Sequence, residues 1–66
     1  MKSLQECKAY YIDVYMNWYV SSDRYGKELE RLTMLYETLC FVYGDAFKKA
    51  ELEWRADAIY NYFKAV

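Results

Sequence analysis

The sequence predicts an all-α fold, a small three-helix bundle in an up-down-up arrangement that packs as a homodimer. Apolar residues recur at helical spacing through most of the 66 residues. The chain has no proline and only two glycines, and polar or glycine breaks divide it into three segments. A chain this short forms one domain. The expected helices within the single domain 1–66 span about 3–20, 23–43 and 45–65.

The first helix is expected to begin at a capping box. Ser3 and Glu6 have the spacing at which each side chain can bond the backbone amide of the other. From there to about residue 20, six residues are predicted to share one face: Leu4, Cys7, Tyr11, Val14, Tyr15 and Trp18. Beside them lies a second apolar strip, so this helix is expected to pack against more than one neighbour.

The second helix carries the most regular apolar pattern in the chain. Steps of three and four residues place one stripe on a single helical face: Tyr25, Leu29, Leu32, Tyr36, Leu39 and Tyr43. Met34 and Phe41 lie nearly opposite that stripe. The run Ser21-Ser22-Asp23 is typical of a helix start. Gly26 leaves two readings open, because it either lies in the first turn of this helix or ends a longer first helix.

The third helix is expected to follow Gly44, as the residue that ends helix two, and Asp45, as the next N-cap. It shows two apolar stripes, which suggests two packing partners. One stripe consists of Leu52, Ala56, Ile59, Phe63 and Val66, and the other of Phe47, Trp54, Ala58 and Ala65. Glu51 and Arg55 lie between them as a helical ion pair.

Composition argues against an enzyme and against a bound cofactor or metal. The chain has no histidine, no glycine-rich phosphate loop and no zinc-ligand spacing. Glu53 and Asp57 form a carboxylate pair one turn apart, but Lys49 is placed to pair with Glu53, which favours a solvated face. We therefore expect no catalytic residues, no metal and no cofactor.

The two cysteines favour a cytoplasmic protein. A secreted domain of this size usually carries more of them, so Cys7 and Cys40 are expected to be reduced and buried, with a single Cys7–Cys40 bridge as the alternative. Charges interrupt every apolar run well before the ~18 residues of a membrane span, and the first residues lack a signal-peptide core. No membrane partner is expected.

Surplus aromatic surface points to a protein–protein interaction module. The chain carries nine Tyr, three Phe and two Trp, residue types enriched at interfaces. A short three-helix bundle uses about one stripe per helix, yet each helix offers a second. The predicted interface comprises Ile12, Met16, Tyr19, Met34, Phe41, Phe47 and Trp54. The hypothesis is a homodimer that masks a surface of a larger, unknown protein, as a small inhibitor or adaptor.

The alternative is a nucleic-acid-associated accessory factor. Arg24, Lys27 and Arg31 gather on one side of the second helix, where nearby tyrosines could stack on bases. The net charge of −1 and the pI of about 5.3 are far from the basic footprint of such proteins. A nucleic-acid partner is therefore the weaker hypothesis.

Overall fold

The computed structural model of the chain describes residues 3–23 and 25–65, and all the regular secondary structure within these residues is helical. A short 3₁₀ turn spans Leu4–Cys7 and leads into α1 (Lys8–Tyr19); α2 covers Lys27–Tyr43 and α3 covers Asp45–Ala65. Each of the three α-helices packs against the other two. The prediction of an all-α fold with three packed helices is confirmed.

The chain enters its first turn through the predicted capping residues. The amide and the hydroxyl of Ser3 both donate to Oε1 of Glu6, at 3.5 and 3.2 Å, and the Glu6 amide donates to the Ser3 carbonyl at 3.1 Å. These bonds satisfy groups that a helix start leaves unpaired. Residues 4–7 form the tighter 3₁₀ turn before the α-helix proper, a common arrangement at a helix N-terminus.

The connection between α1 and α2 is longer than the sequence predicts. The Ser21–Asp23 run bonds within the loop instead of capping a helix: the Asp23 amide donates to Ser21 Oγ at 3.1 Å, and the Tyr25 amide donates to Asp23 Oδ1 at 3.2 Å. Helix α2 therefore begins at Lys27, with Gly26 as its N-cap. Both readings of Gly26 are wrong, and Tyr25 projects into solvent ahead of the stripe it was expected to start.

One residue separates α2 from α3. Gly44 adopts φ +63° and ψ −138°, a conformation that residues with a Cβ avoid. Its amide donates to the Cys40 carbonyl at 2.8 Å, and its own carbonyl accepts from the Phe47 amide at 3.1 Å. Gly44 thus closes one helix and opens the next. Asp45 is the first residue of α3 rather than its N-cap.

Aromatic rings from all three helices form the core. Phe47 on α3 is fully buried and meets the rings of Tyr11 on α1, Tyr36 on α2 and Trp54 on α3 at 5.4, 5.2 and 5.9 Å between centroids. All three contacts are edge-on, the geometry that aromatic pairs favour. Leu39 and Tyr15 complete the buried cluster. The predicted α1 face and the α2 stripe from Leu29 onward lie at least half-buried, as expected.

The packed helices leave a large surface. The molecule measures 33 × 26 × 17 Å and exposes 4987 Å², whereas a folded monomer of 8.0 kDa is expected to expose about 4,450 Å². Among residues 3–23 and 25–65, ten large hydrophobic side chains remain exposed. Their arrangement determines which surfaces of the molecule can bind a partner.

Candidate protein interface

The predicted interface residues fall into three groups. Met34 and Phe41 are 62% and 92% exposed on the side of α2 that faces away from the core. Ile12, Met16 and Tyr19 are half-buried, since they pack against the core cluster while keeping one edge at the surface.

The third group corrects the prediction. Phe47 and Trp54 are 0% and 3% exposed and belong to the core, so neither is available to a partner. The prediction for α3 is therefore wrong: the stripe that contains Phe47 and Trp54 lies in the core, and the stripe that contains Leu52 is exposed. Fully burying a Phe or Trp side chain removes about 150–250 Å² of surface from water. Burying the smaller side chains of Leu52 and Ala56 on the other stripe would remove less. The heavier stripe therefore faces the core.

Because the Phe47 stripe faces the core, the other apolar side of α3 is exposed to solvent. We call Leu52, Ala56, Tyr60 and Phe63 the α3 outer stripe; all four are exposed, and Leu52, Tyr60 and Phe63 each keep over 60% of their surface in solvent. The ammonium of Lys64 lies 6.0 Å from the centre of the Tyr60 ring. Ile59, half-buried beside the stripe, connects it to the core. Leu52, Ala56 and Phe63 belong to the stripe predicted from the sequence, whereas Tyr60 does not. Of the other two predicted members, Ile59 is half-buried and Val66 lies outside the described residues.

The exposed side of α2 combines a protruding ring with a small pit. We call Lys27, Met34, Thr38 and Phe41 the α2 outer face; all are exposed. The pit, about 240 Å³ in volume, is lined by Tyr10, Arg31, Met34, Leu35 and Thr38. The Thr38 hydroxyl donates to the Met34 carbonyl at 2.9 Å, so an apolar group entering the pit does not strand that hydroxyl.

A shallow groove runs along α1. It is about 660 Å³, wide open, and lined by Gln5, Lys8, Ala9, Ile12, Asp13 and Met16. Lys8 at its edge forms an ion pair with Asp57 of α3 at 3.7 Å. Ile12 and Met16 thus contribute their remaining exposed edges to a surface that is apolar along its centre and charged at its rim.

A buried polar network lies where α1 meets α3. The Tyr11 hydroxyl donates to Glu51 Oε2 at 2.6 Å, and Arg55 donates from Nε to Oε2 at 3.1 Å and from Nη2 to Oε1 at 2.6 Å. The ion pair predicted between Glu51 and Arg55 is present, and its carboxylate is buried, since Glu51 is only 2% exposed. Arg55 compensates a charge that would be costly to bury alone.

Electrostatics fix the protonation of this network at neutral pH. Burial, and then the hydrogen bond to Glu51, raise the pKa of Tyr11 far above its ordinary value. The hydrogen bond to Glu51 also raises the pKa of Arg55. Tyr11 is therefore a hydrogen-bond donor and Arg55 a cation. An open cleft of about 490 Å³ lies over the network, lined by Tyr11, Tyr15, Trp18, Leu32, Thr33, Tyr36, Glu37, Glu51 and Arg55.

The basic residues of the alternative hypothesis do not form a broad cationic surface within the described residues. Lys27 and Arg31 are exposed on α2 with the equally exposed Glu30 between them in sequence, and Arg24 lies outside the described residues. Arg31 also lines the pit. This mixture of charges is typical of an ordinary solvated face.

The exposed carboxylates are dispersed. Glu53 and Asp57 both lie at the surface, and Asp57 pairs with Lys8. Across residues 3–23 and 25–65, the structure contains no group of three or more Cys, Asp or Glu side chains arranged to hold a metal ion. In the same part of the chain, none of the helices has the length and apolarity needed to cross a membrane.

Comparisons with protein-family models, curated proteins and solved structures find no match to this chain.

Proposed function

We propose that the chain is a non-enzymatic protein–protein interaction module, acting as a small inhibitor or adaptor that covers a surface of a larger protein. The observation that carries this proposal is the α3 outer stripe. Three large apolar side chains at helical spacing remain exposed on a helix whose opposite side already supplies the core. Contiguous apolar patches on small soluble proteins usually mark interfaces.

The form of the stripe suggests how a partner would bind it. Leu52, Tyr60 and Phe63 span three turns of one helix, the anchor spacing by which an amphipathic helix lies in an apolar groove. Lys64 and Glu53 border it as exposed charges, giving the polar rim that surrounds an apolar centre in many interfaces. A partner with an apolar groove of about that length is the expected target.

We propose further that the working form is a homodimer in a reducing compartment such as the cytoplasm. The excess surface supports self-association, since a second copy can cover what one copy cannot. Both cysteines are free thiols; Cys7 lies beside Tyr43, with 3.7 Å between Sγ and the hydroxyl oxygen. Maleimide labelling of protein denatured directly from cells should modify both thiols; a disulfide in that sample would contradict the reducing compartment.

Site-specific photocross-linking tests the interaction proposal. A photoreactive amino acid at Tyr60 should give a discrete adduct of higher mass in the cells from which the sequence comes. The matched control is Asn61, which is also exposed on α3 and, at 100° per residue, lies on the opposite side of the helix from the stripe. Phe63→Glu should abolish the Tyr60 adduct while leaving helicity unchanged. No adduct from Tyr60, or the same adduct from Asn61, would overturn the proposal.

A further inference from the structure

We infer that two copies of this chain associate through their α2 outer faces, antiparallel, with Phe41 of each copy inserted into the pit of the other. This deepens the proposed function and rests on it for the idea that the chain binds proteins at all. The occupant is a second copy, because the protruding ring of Phe41 and the cavity that would receive it lie on the same helix, α2.

The pit has the form of a hole that receives a side chain between helices. Four of its lining residues are Arg31, Met34, Leu35 and Thr38, at positions i, i+3, i+4 and i+7 of α2. Four residues with that spacing form the holes of knobs-into-holes packing. Tyr10 of α1 lines one side of this open depression, so a second helix contributes to it.

Phe41 is a suitable knob. It is 92% exposed, and it lies one heptad after Met34 on the same side of α2. A ring held in solvent has no stabilising role in the monomer. The pit, at about 240 Å³, is of a size to take one aromatic side chain. Phe41 and the pit therefore lie on the same face of α2 at different positions along the helix. A two-fold axis can then place Phe41 of each copy on the pit of the other copy at the same time.

The charges fit the antiparallel register. Placing Phe41 between positions 34 and 35 of the second copy centres the contact near Thr38. Arg31 of each copy then approaches the corner after Gly44 in the other copy. There the Asp45 side chain is 92% exposed and forms an exposed ion pair with Lys48 at 3.9 Å, so Arg31 would share or replace Lys48 as the partner of Asp45. In a parallel pair, Arg31 would instead face Arg31. Opposite charges across an interface favour the register that unites them.

The area available indicates a weak, reversible dimer. Tyr10, Met34 and Phe41 together expose on the order of 450 Å² of apolar side chain, whereas a standard interface buries roughly 800 Å² per subunit. The stems of Lys27 and Arg31 can cover part of the remainder. Association is therefore expected at micromolar concentrations rather than at nanomolar ones.

Sedimentation equilibrium of the full chain tests the inference. The wild type should pass from monomer to dimer as concentration rises. Phe41→Glu should weaken the dimer at least 10-fold with unchanged helicity, while Phe63→Glu on the α3 outer stripe should leave it unchanged. A wild type that stays monomeric at millimolar concentration, or equal losses from Phe41→Glu and Phe63→Glu, would overturn the inference.

A charge-exchange pair tests the register. Arg31→Glu and Asp45→Arg should each weaken self-association, because each brings like charges together twice. Mixing the two variants should restore dimerisation, since the mixed dimer keeps an opposite pair at both ends. A mixture no tighter than its components contradicts the antiparallel register. Cross-linking at Tyr60 is independent of these experiments. A missing dimer with an intact Tyr60 adduct would therefore refute this inference and the proposed homodimer, and would leave the proposed binding of a larger protein standing.

Discussion

The Tyr11 hydroxyl donates a 2.6 Å hydrogen bond to Glu51, joining α1 to α3 through two side chains that are almost completely buried. An unpaired buried hydroxyl or carboxylate is costly, whereas a satisfied network is close to neutral. The network therefore specifies how α3 is rotated against α1, because only one rotation brings Glu51 to Tyr11 while Arg55 covers its charge.

Arg55→Ala should lower the free energy of unfolding by about 1–3 kcal/mol, a range reduced for the partial exposure of Arg55. It leaves the Glu51 charge without its cation. The triple variant Tyr11→Phe, Glu51→Leu, Arg55→Met removes all the polar groups together and should be less destabilised than Arg55→Ala alone. Urea unfolding followed by circular dichroism measures both. A triple variant that loses more than the single one would show that the network contributes net stability.

Alkaline pH should destabilise the fold through Tyr11. Burial and the bond to Glu51 raise the pKa of Tyr11 in the folded chain, whereas in the unfolded chain it loses its proton near pH 10. The stabilising effect of the protonated Tyr11 is therefore complete below pH 10 and declines above it, by about 1.4 kcal/mol per pH unit for one proton.

Two other tyrosines act in the same direction. Burial raises the pKa of Tyr36, and the hydrogen bond to Cys7 raises the pKa of Tyr43. Urea unfolding between pH 9 and pH 11.5 should show falling stability, with a shallower fall in Tyr11→Phe. The same slope in both proteins would contradict the role given to Tyr11.

Truncating Phe47 should lower the free energy of unfolding, whereas truncating Phe41 should leave it almost unchanged. Phe47→Leu leaves a void at the meeting point of three helices and should cost about 1–2 kcal/mol of unfolding free energy. Phe41→Ala, measured below the concentration at which dimers form, should change it by less than about 0.5 kcal/mol. Comparable losses at both positions would place Phe41 in the core and remove it as a binding residue.

Replacing Gly44 by L-Ala and by D-Ala gives a matched pair of variants. Both can be made by chemical synthesis, because the chain has only 66 residues. A Cβ built at Gly44 meets no atom within 4 Å, so the positive φ alone opposes L-alanine there. L-Ala should destabilise the fold by about 1–3 kcal/mol. D-Ala, for which this backbone conformation is relaxed, should be neutral or stabilising by up to about 1 kcal/mol. Equal effects of the two enantiomers would mean that the tight turn between α2 and α3 is not formed as described.

The sequence predicted a helix end correctly where that end depends on hydrogen bonds or backbone conformation within a few neighbouring residues. Ser3 and Glu6 begin the first turn, and Gly44 ends α2, as expected, since capping and positive φ depend on neighbouring residues alone. The start of α2 was predicted four residues too early. Asp23 is as suited to a loop bond with the Tyr25 amide as to a helix cap.

The candidate interface was only partly predictable. Met34 and Phe41 could be placed on the exposed side of α2 because the opposite stripe was continuous. For α3, two stripes of similar hydrophobicity competed, and periodicity does not say which one faces inward. That choice depends on Tyr11, 40 residues away in sequence from Glu51, and on the rings that surround Phe47. Both are tertiary contacts that no local pattern records.

The central claim is that this chain carries apolar surfaces which partners cover, and fluorine NMR of protein labelled at all phenylalanines tests it directly. The chain has three Phe: Phe47 is buried, while Phe41 and Phe63 are exposed. In dilute solution, the resonances of Phe41 and Phe63 should shift between H₂O and D₂O while that of Phe47 does not. We expect Phe41 to lose this solvent shift as concentration rises, and Phe63 to lose it inside the native cells. Phe41 and Phe63 remaining fully solvent-sensitive at high concentration and in cells would contradict the claim.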